Sequence, residues 1–421
     1  MATHQTGVAD TARTPLPPAI RFVLATMLVN SIGFGIIIPS FPQLIMSLGH
    51  ASLSRATAIG GLLSLTYALF QFLFGPVMGN LSDRFGRRPV LLGSLFGFAV
   101  DFVIMAFAPT LAWLFAARML TGVFGASNGP SQSVIADLTL PDERSRLFGY
   151  ISAAFGVGFV AGPAIGGLLA EISFRMPFYA AGALASANLL YGLFALPETL
   201  SAENRRPFDW KRANPVGALF ALRKLPGLLP IAAVYFAWQM ASLIYPMTWA
   251  YFTIGRYGWS NAMIGMSLAL MGATMAMTQI FLSARIIARI GERRTATIGM
   301  IGGAIGMIAF AATTNGWLAF AMMPLIAVQS LVHPCLTAMM SRRADATNQG
   351  EVQGFASSVM AVGSIIAPVV FNPALSWLTG PKAPFHFYGI AFVIAAVFVL
   401  VGLAILVSLA PAQQADPAPA G

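Results

Sequence analysis

Residues 295–341 run for 47 positions without an aspartate, glutamate, lysine or arginine. A membrane-crossing helix needs roughly 20 apolar residues. The run is therefore too long for one crossing, and the turn dipeptide Asn315-Gly316 divides it near its middle. Charge-free or nearly charge-free runs of crossing length recur at 21–44, 57–80, 89–108, 111–134, 147–170, 175–196, 227–252, 260–283, 295–313, 316–340, 352–377 and 384–408. Only 9% of the 421 residues are charged, against about 25% in a soluble domain. Such a chain cannot cover a water-facing surface. The runs predict an all-α membrane protein with twelve transmembrane helices, because a transmembrane barrel would alternate apolar and polar residues in segments of about ten.

The positive charges set the orientation. Of the 24 lysines and arginines, Arg118 lies inside a run and four (Arg55, Arg175, Arg256, Lys382) lie in odd-numbered loops. The other 19 lie in the N-terminal segment and the even-numbered loops. Lys and Arg accumulate on the cytoplasmic side of short loops, so both termini are expected in the cytoplasm, with the chain in a cell membrane of the bacterial inner-membrane type. The net charge of +10 is then a consequence of topology and not of a nucleic-acid partner. The first twenty residues are polar and lack the apolar core of a signal peptide. The single cysteine, Cys335, allows neither an intrachain disulfide nor a cysteine-rich metal site.

The longest polar stretch, 197–226, separates six spans from six. The expected organisation is a tail (1–20), a first half (21–196), a linker (197–226), a second half (227–408) and a second tail (409–421). Within the linker, Asn214 to Lys224 reads equally as a short surface helix or a solvated segment. The halves echo each other: aligning Gly86 of "GNLSDRFGRRP" with Gly291 of "ARIIARIGERRT" matches Arg84 to Arg289 and Arg88 to Arg293. Parallel repeats of this kind occur in transporters that bind substrate between the halves.

Gly79, Asp83, Arg84, Gly86, Arg87 and Arg88 in "GNLSDRFGRRPVLL" resemble the loop 2–3 signature of the major facilitator superfamily. In that position Gly79 would allow close helix approach, Gly86 a turn with positive φ, and the charges a pairing between helix ends. "GFVAGPAIGG", with Gly158, Gly162, Pro163, Gly166 and Gly167, resembles the antiporter signature of that superfamily. Glycines four apart share one helix face and permit tight packing; packing alone also accounts for them. "RMLTGVFGASNGP" resembles the antiporter pattern that begins with an intramembrane arginine, here Arg118. Together with "IIIPSFPQL", "SVIADLT" and "RYGWS", the chain over about 20–408 is most similar to the tetracycline-efflux branch of drug:proton antiporters. The resemblance implies two six-helix halves rocking about a central small-molecule site, proton entry driving export, no bound cofactor and a functional monomer. Three positions depart from the branch pattern: Asn30 and Gly303 stand where it carries acids, and Met275 where it carries histidine. A facilitator or importer of a small polar nutrient on the same fold would suit these departures.

Of the 14 acidic residues, only Asp101 falls within a span. A charge there is costly and marks a pathway or a pair. Asp101 is eight residues before Pro109, and Arg118 is eight after Thr110. A rise of about 1.5 Å per residue puts both roughly 12 Å below the turn joining spans 3 and 4. They are expected to meet, either as a static pair or as the proton-coupling pair. Asp137, at the end of span 4, is expected to join Asp83, Arg84 and Arg88 in a cytoplasmic gate. Asn30, Gln71, Asn128, Gln239, Trp249, Gln279, Gln329 and His333 are polar or aromatic groups within spans and are the candidate cavity residues. With almost no acids among them, a neutral, amphipathic or weakly anionic substrate is expected. His4, His50, His333 and His386 are scattered, so no metal or catalytic constellation forms, and an enzyme is not expected.

Overall fold

The computed structural model describes residues 17–125, 131, 134, 137–138, 141–210, 228–342 and 349–409. Among these the regular structure is helical and no strand occurs. Span 1 is Pro18–Ile36, followed after a turn by a short helix, Phe41–Gly49. Span 2 is Leu53–Phe85, span 3 Arg87–Phe107, and span 4 begins with Leu111–Phe124. Span 5 is Pro141–Ile172 and span 6 Met176–Ala195. Span 7 consists of Leu229–Ser242 and Ile244–Tyr257. Span 8 starts as Asn261–Met277, passes a π-helical turn at Thr278–Ser283 and continues into the helix Ala284–Ala312. That helix breaks at Gly291, with φ 79° and ψ 163°, and span 9 follows the break. Span 10 joins Gly316–Ile326 to Val332–Ser341 through a 3-10 turn, span 11 is Gln349–Thr379 and span 12 Ile390–Ser408.

The expected single run at 21–44 is corrected: span 1 stops at Ile36. Pro39 lacks a donor and its ring clashes with the preceding turn, while Pro42 sits in the first turn of the next helix, where its missing donor costs nothing. Asn315 closes the long uncharged run as expected; its side chain accepts from the backbone N–H of Trp317 and Leu318 and starts a new helix. The segment 214–224 lies outside the described residues. Phe194, Leu325 and Ile172 are large, apolar and more than two-thirds exposed. Side chains of that kind, distributed round a helical bundle, belong against lipid and not water.

The packing follows the two halves. Span 5 lies between spans 1 and 8, span 2 between spans 4 and 11, span 3 against span 6, and span 9 against span 12. Among the described residues the main contacts joining the halves are therefore 5 with 8 and 2 with 11, with a smaller one between 2 and 7. Their polar bonds lie on one side, opposite to where span 1 starts and span 12 ends. Ser54 Oγ donates to Ser376 O (2.7 Å), and Asn372 Nδ2 donates to Thr57 O (3.1 Å). Asn261 Nδ2 donates to Gln43 Oε1 (2.9 Å), and Ala262 N–H to Glu171 Oε1 (2.9 Å). Glycine makes this seal possible: a Cβ at Gly61 would stand 2.6 Å from Asn372, and one at Gly265 would stand 2.2 Å from Pro163 O. Toward the other side, Gly75 and Gly79 of span 2 and Gly156 of span 5 face open space.

Candidate functional site

Asp101 is fully buried in span 3, and Arg118 of span 4 is 8% exposed. Arg118 Nη2 donates to Asp101 Oδ2 at 3.1 Å and to Oδ1 at 3.4 Å. The same nitrogen lies 3.0 Å from Met105 Sδ, and the guanidinium stacks over Phe41 at 5.8 Å. Arg118 Nε has no hydrogen-bond partner. The pair lines a cavity of about 240 Å³ with Asn30, Ser31, Tyr67, Gln71, Thr121 and Phe155. Gln71 Nε2 donates to the Tyr67 hydroxyl (2.9 Å) and to Gly125 O (3.4 Å). The tight turn between spans 3 and 4 brings the two charges together, as equal depth requires.

A second cavity, of about 500 Å³, lies against span 5 and spans 7, 8 and 10. Gln239, Gln279, Gln329 and His333 line it. Gln279 Nε2 donates to Ser330 O (3.1 Å), and Gln329 Nε2 donates to the Tyr245 hydroxyl (3.2 Å). His333 lies beside Tyr235, ring centroids 5.6 Å apart. Among the described residues no carboxylate lines this cavity. The candidates read from the sequence thus divide: Asn30 and Gln71 join the charge pair, while four others form the larger cavity. Trp249 is corrected. It is fully buried, its Nε1 donates to Ser267 Oγ (2.9 Å), and it packs edge-on against Phe310 and Phe392. It is core, because an indole whose N–H is satisfied inside a bundle gains more from burial than from facing water. Asn128 lies outside the described residues. Sequence reading missed Phe155, Phe159, Trp238, Tyr245 and Met271. Ser152, Phe155, Gly156, Phe159 and Val160 follow the i, i+3, i+4, i+7, i+8 spacing of one helix face, but spacing alone does not say which face meets a cavity. Met275 lines the same cavity, and Gly303 faces Trp238, where a Cβ would be 3.2 Å from the indole.

The charge cluster expected as a gate centres on a different arginine from those expected. Arg87 Nη1 binds Asp83 Oδ1 (2.6 Å) and Arg87 Nε binds Asp137 Oδ2 (3.2 Å), with Ser82 Oγ also accepting at 3.2 Å. Arg84 stacks over the Phe85 ring at 5.0 Å. Arg88 Nη2 donates to Leu193 O (2.9 Å) in the last turn of span 6. The turn between the helices explains the exchange: Gly86, non-helical at φ 106°, ends span 2 and starts span 3, and the reversal across it brings the Arg87 side chain back onto Asp83, while Arg84 turns to Phe85. Glu198, just past span 6, accepts from the Arg87 and Arg88 N–H groups at the start of span 3 (2.8 and 3.3 Å). That approach needs Gly86, whose φ is 106° and whose Cβ, if present, would meet Glu198 Oε2 at 2.1 Å. Gly79 brings no helix close, which corrects the expectation for it.

The repeat continues in the second half with inverted charge. Gly291 has the backbone conformation of Gly86. Arg293, the counterpart of Arg88, donates to Leu406 O (3.2 Å), Val407 O (3.0 Å) and Leu409 O at the end of span 12. Glu292 stands where the first half has Arg87, and it pairs at 2.7 Å with Arg342, at the offset that also relates Gly291 to Gly86 and Arg342 to Asp137. Arg175 and Arg256, two of the four basic residues in odd loops, are helix caps. Arg175 donates to Ala106 O and Ala108 O (2.8 and 3.1 Å), and Arg256 to Thr313 O and Ala312 O (3.1 and 3.3 Å).

In span 5, Gly158, Gly162 and Gly166 face span 1. Cβ atoms there would stand 2.7, 2.7 and 1.9 Å from the carbonyl oxygens of Leu28, Ile32 and Ile36. Gly167 turns to span 8, where a Cβ would be 2.5 Å from Asn261 O. The signature therefore sets two backbones into contact on one face and joins the halves on another. Pro163 sits between, its ring beside Gly35 and its carbonyl beside Gly265.

The Major Facilitator Superfamily family model matches residues 23–260 and 231–420. The chain is 39% identical over 372 residues to the class C tetracycline resistance protein of Escherichia coli, covering 86% of this chain and 93% of that one. It is 37% identical to the class G tetracycline resistance protein of Vibrio anguillarum, covering 91% and 96%. Among solved structures, the human organic anion transporter MFSD10 superposes with TM-score 0.69 at 25% identity, covering 92% of this chain and 99% of that chain. With the family matched across both halves and the relatives aligned over most of their length, the chain belongs to the major facilitator superfamily: it is a multi-pass secondary transporter of a small molecule and not an enzyme.

Proposed function

We propose that this chain exports a neutral or weakly anionic amphipathic molecule in exchange for protons, as a monomer in a bacterial-type inner membrane. The side on which span 1 starts and span 12 ends is the cytoplasmic one. The sealed opposite side then makes this arrangement the inward-open state. The observation that carries the reading is the fully buried Asp101 held by Arg118 on its own cavity, apart from the larger one. Protonation of Asp101 neutralises the carboxylate and leaves Arg118 without its counter-charge, so the pair prefers different surroundings before and after. A two-state transporter can use that difference to link proton uptake to the rocking of its halves. Cargo rests against Trp238, Tyr245, Phe159 and the glutamines, with His333 as the exposed polar contact. An uncharged lining of carboxamides and rings gives no fixed anion to a cationic cargo, and this supports the substrate class.

The relatives' names make tetracycline the first probe. Purified protein in proteoliposomes is expected to accumulate tetracycline against its gradient when a pH gradient is imposed, and Asp101→Asn is expected to abolish accumulation while leaving downhill exchange. Accumulation by Asp101→Asn equal to that of the parent would make the pair structural. Equilibration by the parent that ignores the pH gradient would establish a facilitator, a reading that the acid-free large cavity favours.

A further inference from the structure

The two cavities share one lining residue, Phe155. The seam they straddle is where span 1 ends. Ile37, just past Ile36, lines the small cavity, and its neighbour Ile38 lines the large one. Across from that turn, the Phe155 backbone is fastened to span 1: Ser31 Oγ donates to Phe155 O at 2.6 Å. Gly158, one turn on, lets the two helices touch at that level. The backbone at this position is therefore fixed, while the side chain is about half exposed. On its free flank it stacks on Phe159, ring centroids 6.2 Å apart and 15° between planes. Gly156 beside it faces open space. A rigidly mounted ring with room around it, between an ionisable pair and a cargo cavity, has the placement of a partition.

We propose that Phe155 is the partition that keeps the Asp101–Arg118 cavity from joining the cargo cavity, and that its ring prevents protons from crossing without cargo. The proposal rests on Asp101 being the proton-carrying group. Physically, the ring replaces water between the cavities; a continuous water path from Asp101 into the large cavity would let a carboxylate protonated from the other side in the outward-facing state release that proton into the inward-open cargo cavity with no cargo moved. Phe155 does not carry the proton. It positions the boundary across which the carrier is isolated.

The test measures proton leak in the absence of any cargo, using vesicles loaded with a pH-sensitive dye and carrying an imposed pH gradient. Phe155→Ala is expected to dissipate the gradient faster than the parent by on the order of tenfold, the factor for a modest loss of barrier height. Phe155→Leu, which keeps bulk without the ring, is expected to stay close to the parent. The double variant Phe155→Ala with Asp101→Asn is expected to be tight again, because the leak passes through the carboxylate. A Phe155→Ala protein that is as tight as the parent overturns the partition, whatever Asp101→Asn does to coupled transport. A leak that persists in the double variant also overturns it, since the path then bypasses Asp101. Coupled transport that survives Asp101→Asn refutes the carrier assignment instead, and that result is read from accumulation and not from leak. Where Phe155→Ala does not purify as a single species, Phe155→Val takes its place, and a leak no greater than that of Phe155→Leu overturns the proposal.

Discussion

The candidate residues separate by what each one touches. Trp249 and His333 were equal on paper, an indole and an imidazole inside apolar runs. Trp249 is fully buried among Phe252, Phe310 and Phe392, whereas His333 looks into the large cavity. Their variants are expected to fail differently. Trp249→Ala removes a core side chain and is expected to lower stability by about 3–5 kcal/mol, read as a lower thermal midpoint in detergent. His333→Ala is expected to leave the midpoint in place and to raise the KM for cargo, read from concentration-dependent uptake. A shared effect on both quantities in both variants would mean that the cavity assignment is mistaken. Arg87 makes the same point about charge. Three neighbouring arginines are interchangeable as text, but only the one that opens span 3 reaches Asp83 and Asp137 across the turn at Gly86. The other two serve a ring and a helix end.

At the scale of elements, span 5 is the hinge of the packing. Its glycines let it lie against the backbone of span 1, so the contact depends on the absence of side chains and not on attractive groups. Gly162→Leu is expected to force spans 1 and 5 apart and to yield little folded protein, measured as the monodisperse fraction on gel filtration. Gly149→Leu, on the same helix but facing open space, is expected to fold as the parent does. The loops after spans 2 and 8 form a second lesson. Gly86 and Gly291 adopt matching positive φ, and Arg88 and Arg293 cap the last spans of their halves. The ion pair between them is inverted, Arg87 with Asp137 and Glu292 with Arg342. Because Arg342 is largely exposed, the second pair is worth at most about 1 kcal/mol. Glu292→Arg combined with Arg342→Glu is expected to recover most of the transport that either single change loses, assayed as tetracycline accumulation. Additive losses would show the pairing to be incidental.

At the scale of the whole molecule, the halves meet through hydrogen bonds and glycine contacts on one side, between spans 2 and 11 and spans 5 and 8. Ser54 and Ser376 hydroxyls stand 3.5 Å apart across that seal. Replacing both with cysteine, in a background carrying Cys335→Ser, is expected to give a crosslink under oxidation that halts transport and is reversed by reductant. Transport that continues with the crosslink complete would show that the seal need not open. Rocking of this kind needs contacts that can be given up cheaply, and hydrogen bonds that water can replace meet that need.

Much of this architecture was legible in the chain itself. Crossing length and the absence of charge determined the number of helices, because lipid admits backbone only when its polar groups are bonded within the helix. The matched glycines announced the repeat, and equal depth on antiparallel neighbours announced the pairing of Asp101 with Arg118. The sequence could not say which helical stripe faces a cavity, that Trp249 is core, or that Phe155 touches two cavities at once. Hydropathy distinguishes lipid from water but not one protein interior from another. Every stripe inside a bundle is apolar, and its surroundings are set by the rotation of each helix against neighbours far away in the chain. Only the tertiary packing decided that rotation, and with it which residues the cargo can meet.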